Sequence, residues 1–279
     1  MSPSLDRNSV GRRLVDLPWW FLGIVVVILW AGVSIATRPN YHEAFQWIKA
    51  GIIVTLATSL VAYLIAIILG LLTGLGRMSR NVFVRNVARM YVELVRGIPM
   101  LVLIFFIALV GVPLVVNLLH SLGEWFASIG LTALANLLAG LENAAVPMLA
   151  RAIIALAVTY GAFLAEVFRA GIQSIGRGQV EAARSLGMGY GQAMRFVILP
   201  QAIRNVLPAL GNDFVSMVKD SSLVSVLAVR DMTQISRLYA GSTFRYPEAF
   251  VTLSVLYLTI TVILSLGVQA LERRLHRHE

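Results

Sequence analysis

The sequence contains no cysteine and few charged residues. Of its 279 residues, 13% are charged, whereas soluble domains carry about a quarter. Without cysteine, disulfide bonds, thiolate metal sites and cysteine nucleophiles are excluded. The chain has two lysines, Lys49 and Lys219, and neither follows a glycine, so it lacks the G-x-x-x-x-G-K-[ST] loop that binds nucleotide phosphates. The sequence therefore excludes both a soluble fold and an ATPase of the phosphate-loop type.

Other catalytic patterns are absent as well. The histidines stand at His42, His120, His276 and His278, which gives no H-E-x-x-H zinc motif. No G-x-S-x-G nucleophile elbow occurs. We therefore predict no metal site, no cofactor and no catalytic residue, and we expect that the chain is not an enzyme.

Apolar residues, by contrast, make up 58% of the chain and fall into runs long enough to cross a lipid bilayer. Helices satisfy their own backbone hydrogen bonds in hydrocarbon, and the sequence lacks the short alternating strands of a membrane barrel. We predict an all-α polytopic membrane protein with about six transmembrane helices. The predicted spans are 19–37, 48–75, 99–119, 147–168, 203–226 and 249–271.

Most basic residues lie at the N-terminus, in the connections between the second and third and the fourth and fifth predicted spans, and in the tail. These sixteen of the 23 lysines and arginines are Arg7, Arg12, Arg13, Arg77, Arg80, Arg85, Arg89, Arg96, Arg169, Arg177, Arg184, Arg195, Arg204, Arg273, Arg274 and Arg277. Segment 120–146 has none, only Glu124 and Glu142. By the positive-inside rule, both termini and the two basic connections face the cytoplasm. The net charge of +9 is explained in this way rather than by nucleic acid.

The first apolar run allows two interpretations. Arg12 and Arg13 before it, and Ser34-Ile35-Ala36 near its end, are compatible with a signal peptide and a small-x-small cleavage site. The run is long for a signal peptide and begins with tryptophan, so we favour a retained anchor. We therefore divide the chain into a tail with an extra anchor at 1–47, a transmembrane domain at 48–274, and a tail at 275–279.

Two connections carry further predictions. We expect an outer loop at about 112–147, in which the leucine-rich stretch 131–141 forms an amphipathic helix at the outer surface. The cytoplasmic segment at about 169–200 is polar and rich in helix-forming residues. We predict a helix at 179–186 with Glu181 in its first turn, where a carboxylate complements the helix dipole. Gly187 then ends that helix in the left-handed conformation.

A second short helix is predicted at 190–199, and Pro200 would open the next element because it is unfavourable inside a helix. Ala182 and Ala183 would present a small face that inserts into a partner's groove, and Arg184 and Arg195 would pair with acidic residues there. The alternative is an ordinary solvated loop whose basic residues only set the topology.

Several motifs resemble those of permease subunits of ABC-type polar amino acid importers. Glu181-Ala182-Ala183, Gly187 and Val197-Ile198-Leu199-Pro200 resemble their EAA loop, in which isoleucine usually takes the place of Val197. Further matching segments are Glu93-Leu94-Val95-Arg96-Gly97-Ile98-Pro99, Leu199-Pro200-Gln201-Ala202 with Arg204, Pro208 and Asn212, Lys219-Asp220-Ser221-Ser222-Leu223, and Glu272-Arg273-Arg274. The resemblance covers about residues 51–274, and the first span and the long outer loop exceed the compact five-span form.

This resemblance implies a type I permease in a bacterial inner membrane, with a five-helix core, one extra N-terminal span and a coupling helix between spans four and five. The implied partners are a dimer of cytoplasmic ATPases, a second permease of the same or a sister chain, an extracytoplasmic binding protein, a polar amino acid and membrane lipid. The implied ATPase-coupling residues are Gln179, Glu181, Ala182, Ala183, Arg184, Leu186 and Gly187. Energy would come from the ATPases, and transport would proceed by alternating access.

Polar residues inside the fifth predicted span indicate a translocation path. Asn212, Ser216 and Asp220 repeat every four residues and share one helical face. Asp213, Lys219 and Ser221 flank them, and Lys219 with Asp220 is a candidate charge pair. Ionisable groups at membrane depth either pair or line a wet path. The alternatives are a structural pair at Lys219 and Asp220, and interhelical hydrogen bonds at Asn212 and Ser216.

Two further patterns lie at the span ends. Glu93, Arg96, Glu166 and Arg169 place both signs of charge at two cytoplasmic mouths, where ion pairs would exchange partners as the pore opens or would only cap helices. Gly70 and Gly74 form a G-x-x-x-G motif that predicts close helix packing.

An ion-coupled secondary transporter with sites at Asp213 and Asp220 stays open as an alternative function. An intramembrane enzyme is disfavoured by the missing catalytic groups.

Overall fold

The computed structural model describes residues 19–140 and 142–276, and this part of the chain consists of helices joined by short turns, without β-strands. The predicted all-α fold class is thereby confirmed. The α-helices are α1 Trp19–Thr37, α2 Pro39–Ile48, α3 Ala50–Arg77, α4 Val82–Gly97, α5 Met100–Phe106, α6 Val112–Ser128, α7 Thr132–Ala139, α8 Met148–Gln173, α9 Arg177–Ser185, α10 Tyr190–Ala193, α11 Leu199–Asp220, α12 Met232–Thr243 and α13 Tyr246–His276. The predicted cytoplasmic termini with Arg7, Arg12, Arg13 and Arg277 lie outside the described residues.

Four long helical segments in the described chain are apolar enough to cross a membrane. They are Pro39–Arg77, Met100–Ser128, Met148–Gln173 and Tyr246–Arg274, and a shorter apolar helix runs over Leu22–Thr37. These five segments coincide with five of the six predicted spans. The remaining predicted span, 203–226, corresponds only in part to α11, which ends at Asp220, so that the last six residues of the span lie in a 3₁₀ turn. Helix α11 is more polar than the other spans because of its stripe of polar residues. That α11 crosses the membrane stays a prediction.

Helices α3 and α8 form the centre of the molecule. They run side by side in the same direction, since Leu69 lies opposite Gly161 and Gly74 lies opposite Phe168. A Cβ atom added at Gly70 would lie only 2.6 Å from the Leu164 Cβ. The G-x-x-x-G motif therefore allows the two backbones to approach closely, as predicted.

Two π-helical turns allow long helices to continue past a proline. The turn Ile107–Gly111 joins α5 to α6, and Met194–Ile198 joins α10 to α11. Each is closed by a bond across five residues, from Val112 N–H to Ile107 O and from Leu199 N–H to Met194 O. In each case the next residue is a proline, which has no N–H to donate. The wider π turn moves the carbonyl groups of the preceding turn away from the proline ring, so the helix continues past the proline.

These turns correct two predictions. Residues 112–147, expected to form a loop, are largely helical, because the third apolar segment continues through the π turn to Ser128. Within this region the short helix predicted at 131–141 is found at Thr132–Ala139. Pro200 likewise does not separate two helices, since the chain is helical without a break from Tyr190 to Asp220.

The segment after α11 contains an element that was not predicted. A 3₁₀ turn, Ser221–Leu227, leads through Ala228 in the left-handed conformation to α12. The side chain of Asp231 caps α12 by accepting a hydrogen bond from the Gln234 N–H at 2.8 Å. The Met232 N–H donates to Thr55 Oγ1 of α3 at 3.1 Å, which ties the start of α12 to the first central helix.

Candidate translocation path and coupling surface

The predicted polar stripe lies on α11, which packs along the two central helices. Its first half contacts α8, because a Cβ at Gly171 would overlap the Val206 side chain. Its middle contacts α3, where the Tyr63 hydroxyl donates to Leu210 O at 2.5 Å. Its far end returns to α8 through Tyr160 and Asp220. The helix therefore lies beside α3 and α8 over its whole length.

Exposure differs along the stripe. Asn212 and Lys219 are exposed in the isolated chain, and Asp213, Ser216 and Asp220 are partly exposed. Ser221 is buried, and its hydroxyl donates to Val218 O at 2.7 Å. Ser221 therefore has a structural bond within its own turn, whereas the other five side chains reach a surface that this chain does not cover.

Asp220 is bound by a tyrosine and not by the neighbouring lysine. The Tyr160 hydroxyl of α8 donates to Asp220 Oδ2 at 2.7 Å. Among the ion pairs of the described residues, none joins Lys219 to Asp220. The predicted charge pair is therefore wrong, since adjacent residues of a helix point in different directions.

Two tyrosines next to the stripe were missed in the sequence. Tyr63 and Tyr160 are buried beside α11, where their hydroxyls donate to Leu210 O and to the Asp220 carboxylate. The Tyr63 ring also packs against Phe214, with ring centroids 5.2 Å apart. A tyrosine within an otherwise apolar span needs a partner for its hydroxyl, and this signal was present in the sequence.

The second predicted site is the polar connection between α8 and α11. Helix α9 begins at Arg177, two residues earlier than predicted, so Glu181 lies beyond its first turn. The proposed interaction of Glu181 with the helix dipole is therefore wrong. Gly187 has φ of +78° and ends the helix as predicted. The Met188 N–H donates to Ala183 O at 3.1 Å and the Gly187 N–H to Arg184 O at 2.9 Å, which is the Schellman arrangement.

We call residues 177–198, from α9 to the end of the π turn, the elbow. Its exposed face differs from the predicted one. Ala183 is buried within the chain, because α9 packs against the π turn Met194–Ile198. The face that remains outward comprises Gln179, Glu181, Ala182, Arg184, Leu186 and Gly187. Leu186 is 79% exposed, and Phe196 nearby in sequence is exposed too, with Arg195 over its ring at 5.5 Å. Phe196 had not been predicted to belong to this surface.

The charged residues at the span ends converge on one carboxylate. Arg77 at the end of α3 donates to Glu166 Oε1, and Arg96 at the end of α4 donates to the same oxygen at 3.4 Å. Arg169 approaches Glu166 Oε2 at 2.8 Å. Of the predicted residues, Glu93 is not part of this cluster, since it lies at 3.8 Å from Arg89 on the surface of α4. Arg77 was missed as a member.

No group of three or more histidine or acidic side chains within residues 19–140 and 142–276 is arranged to hold a metal ion. What this part of the chain offers is a polar stripe, an exposed elbow and a charge cluster.

Comparison with known proteins identifies the family. Residues 66–277 match the family described as "Binding-protein-dependent transport system inner membrane component". The probable glutamine ABC transporter permease protein GlnM of Bacillus subtilis is 36% identical over 235 residues, which are 84% of this chain and 96% of that protein. The arginine transport system permease protein ArgU of Corynebacterium glutamicum is 32% identical over 270 residues, covering 92% and 80% of the two chains.

Solved structures agree with this assignment. A crystal structure of an amino acid ABC transporter with histidines matches at a TM-score of 0.69 and 34% identity, covering 86% of this chain and 98% of that one. An inward-facing structure of the MetNI methionine ABC transporter shares the fold, with a TM-score of 0.60 and 19% identity over 82% of this chain and 96% of that one. None of these comparisons supports an ion-coupled secondary transporter. The chain is a multi-pass membrane protein of the inner-membrane components of binding-protein-dependent transport systems, and belongs to this family as a permease subunit of an ABC amino-acid transporter.

Proposed function

We propose that this chain is one half of the membrane pathway of an ATP-driven importer for polar amino acids, and that the α9 elbow receives the work of a separate ATPase. The exposed Leu186 at the end of α9 carries this proposal. Leu186 is 79% exposed, and Phe196, in the π turn against which α9 packs, is exposed as well. Burial of such apolar surface against a partner is favourable. The chain has no nucleotide-binding loop, so an ATPase is the partner that the transport class requires.

The orientation follows from the basic residues. Arg77, Arg96 and Arg169 lie together at one end of the central helices, and the elbow follows directly after α8. Because basic residues favour the cytoplasmic side, this end faces the cytoplasm and the hairpin of α6 and α7 faces outward. Both termini are placed on the cytoplasmic side by the same rule.

The polar stripe supports a path shared with a second permease subunit. Asn212 and Lys219 are exposed in the single chain although α11 lies beside two apolar spans. Exposure of such groups to lipid is costly, so the stripe faces either water or another protein. A second copy or a sister chain, placed against this face, would enclose a polar route between the two subunits.

Both signs of charge occur along the stripe. Asp213 and Asp220 are suited to an ammonium group, and Lys219 is suited to a carboxylate. A free amino acid carries both groups, which is why we assign this class of substrate. The relatives named above for glutamine and arginine transport fall in the same class.

The mechanism is alternating access. Closure of two ATPases on ATP would bring two elbows together and re-pack the helices so that the path opens outward. An extracytoplasmic binding protein would then deliver its amino acid, and hydrolysis would restore the inward-facing arrangement. This chain supplies the path and the elbow, while its ATPase supplies the chemistry.

The test is to replace Leu186 with serine and to reconstitute the complete transporter in liposomes. Removing the buried contact of a leucine costs about 1.5–3 kcal/mol, so we expect at least a tenfold weaker association with the ATPase and a matching loss of ATP-dependent uptake. Leu137→Ser is the matched control, because Leu137 is similarly exposed but lies on α7 at the opposite end. Unchanged uptake by Leu186→Ser, or uphill uptake without any ATPase, would contradict the proposal.

A further inference from the structure

Helix α4 lies across the end of the central bundle rather than along it. Arg77, which ends α3, and Arg96, in the last turn of α4, both donate to Glu166 Oε1. The N-cap of α4, Asn81, follows Arg77 by only four residues. Both ends of α4 therefore lie at about the same level along the axis of the central helices, namely that of the Glu166 carboxylate. Its 16 residues span about 24 Å, so a helix running through the membrane would separate its two ends by most of that length.

The middle of α4 is attached at the same end of the bundle. A Cβ added at Gly76, next to the end of α3, would lie 3.2 Å from the Ala88 Cβ. The Tyr91 side chain extends from this face toward the centre of α8, where its hydroxyl donates to Val158 O at 2.5 Å. Val92 and Val95 are buried on the same face. One face of α4 is thus fully occupied by its own chain.

The two remaining faces of α4 differ in character. Phe83, Val87, Met90 and Leu94 are all exposed, and their spacing of four, three and four residues places them on one stripe. Arg85, Arg89 and Arg96 are spaced by four and seven residues, which places them on a second exposed stripe. An apolar stripe beside a basic stripe is the arrangement of helices that lie in a membrane interface.

We propose that α4 lies flat in the membrane interface, with its apolar stripe among the acyl chains and Arg85 and Arg89 bound to anionic phospholipid headgroups. The assignment of this interface to the cytoplasmic leaflet rests on the orientation given under the proposed function. Charge complementarity selects the occupant: Glu93 is the one acidic residue of α4, against four basic ones including Arg80 in the preceding turn. The apolar stripe keeps the helix at the level where those headgroups lie.

Depth measurement tests the orientation of α4. The chain has no cysteine, so single replacements Phe83→Cys, Val87→Cys, Met90→Cys and Leu94→Cys can each carry one spin label. In the complete transporter in lipid nanodiscs, we expect all four labels to collide with oxygen more than with a polar relaxant and to lie at one depth. A steady change in depth amounting to about 16 Å from Phe83→Cys to Leu94→Cys would show a membrane-crossing helix and overturn the proposal.

Charge removal tests the bound headgroups. The double variant Arg85→Gln with Arg89→Gln is compared with Arg230→Gln and Arg237→Gln, two exposed arginines near α12. The readout is phosphatidylglycerol retained by the purified transporter, measured by native mass spectrometry against phosphatidylcholine. We expect retention to fall about fivefold for each α4 arginine removed and to stay unchanged in the control.

A second readout separates this proposal from the proposed function. Copurification of the ATPase is measured on the same double variant. We expect the ATPase to remain bound while phosphatidylglycerol is lost, because α4 and the elbow are different surfaces. Loss of the ATPase with phosphatidylglycerol retained would assign the basic stripe to a protein partner and overturn the lipid assignment. Unchanged phosphatidylglycerol retention would overturn it as well, whether or not the elbow proves to bind the ATPase.

Discussion

The Arg77 guanidinium donates a hydrogen bond to Oε1 of Glu166, which stands 89 residues later in the sequence. This bond joins the ends of the two central helices, and Arg96 and Arg169 add the end of α4 and the next turn of α8 to the same carboxylate. One acidic group therefore balances three arginines. Loss of the Glu166 carboxylate would leave the helix ends unlinked and the three arginine side chains repelling one another.

Replacing Glu166 with glutamine is expected to destabilise the protein. Glu166 is 23% exposed and Arg77 is 13% exposed, so water replaces their interaction only in part. Hydrogen bonds to charged groups contribute about 1.5–3 kcal/mol, and we expect a loss in that range. The measurement is thermal unfolding in detergent. Glu93→Gln is the control, since its exposed pair with Arg89 contributes little, and equal melting of the two variants would contradict the assigned role.

Removing the Tyr160 hydroxyl is expected to impair transport. Tyr160→Phe keeps the ring in place and leaves Asp220 without its hydrogen bond, so the carboxylate is free to reorient in the proposed path. We expect a several-fold change in the KM for amino-acid uptake, with the complex still assembled. Tyr91→Phe is the control, because its hydroxyl bonds a backbone carbonyl away from the stripe. A change of stability alone, equal in both variants, would argue against a path at Asp220.

A methyl group at Gly70 is expected to force α3 and α8 apart. The added Cβ would lie 2.6 Å from the Leu164 Cβ and 3.1 Å from the Leu164 carbonyl carbon, so backbone must move. Overpacking of this kind costs about 1–3 kcal/mol. Gly23→Ala in α1 meets nothing within 4 Å and serves as the control. The two variants are compared by thermal unfolding, and a Gly70→Ala protein as stable as Gly23→Ala would refute the close approach.

Asp231 gives a prediction about pH. It is fully buried, and this burial raises the pKa of its carboxyl above the ordinary value, although hydrogen bonds from α12 partly oppose the shift. A raised folded-state pKa means that the folded protein binds the proton more tightly than the unfolded chain does. The contribution of Asp231 to stability is therefore greatest below the unfolded pKa, about 3.9, and is lost as pH rises through the folded pKa.

The variant Asp231→Asn isolates this effect. Asparagine caps a helix as well as aspartate but carries no charge. At neutral pH we expect the variant to unfold at the same temperature as the parent or a higher one, with the advantage shrinking as pH falls. Asp231→Ala, which also loses the cap, should be about 1 kcal/mol less stable than Asp231→Asn at any pH. A variant that becomes relatively less stable as pH rises would have the opposite sign and contradict the raised pKa.

The sequence was sufficient to predict the fold class, five apolar segments, the helix stop at Gly187 and the contact at Gly70 and Gly74. Each of these depends on local rules, namely apolar run length, left-handed backbone at glycine, and small residues at helical spacing. The outer loop expected at 112–147 was wrong because the third span was ended at residue 119, whereas helix α6 continues to Ser128 and α7 follows it.

The site was predicted less completely, because its partners come from distant parts of the chain. Asp220 was identified, but its partner Tyr160 lies 60 residues away and cannot be chosen from a sequence without knowing how α8 and α11 pack. Ala183 was assigned to an exposed face since nothing in α9 indicates that the Met194–Ile198 turn covers it. The roles of the elbow and stripe residues stay predictions.

The unbroken helix from Tyr190 to Asp220 has a mechanical consequence. The last part of the elbow, from Tyr190, and the polar stripe belong to one helix. The part of this helix beyond the π turn has 22 residues and is about 33 Å long. A tilt of about 5° pivoting at that turn displaces the Asp220 end by about 3 Å, roughly the length of one hydrogen bond. A small push delivered at the Tyr190 end of this helix would therefore be enough to break or make the contact with Tyr160.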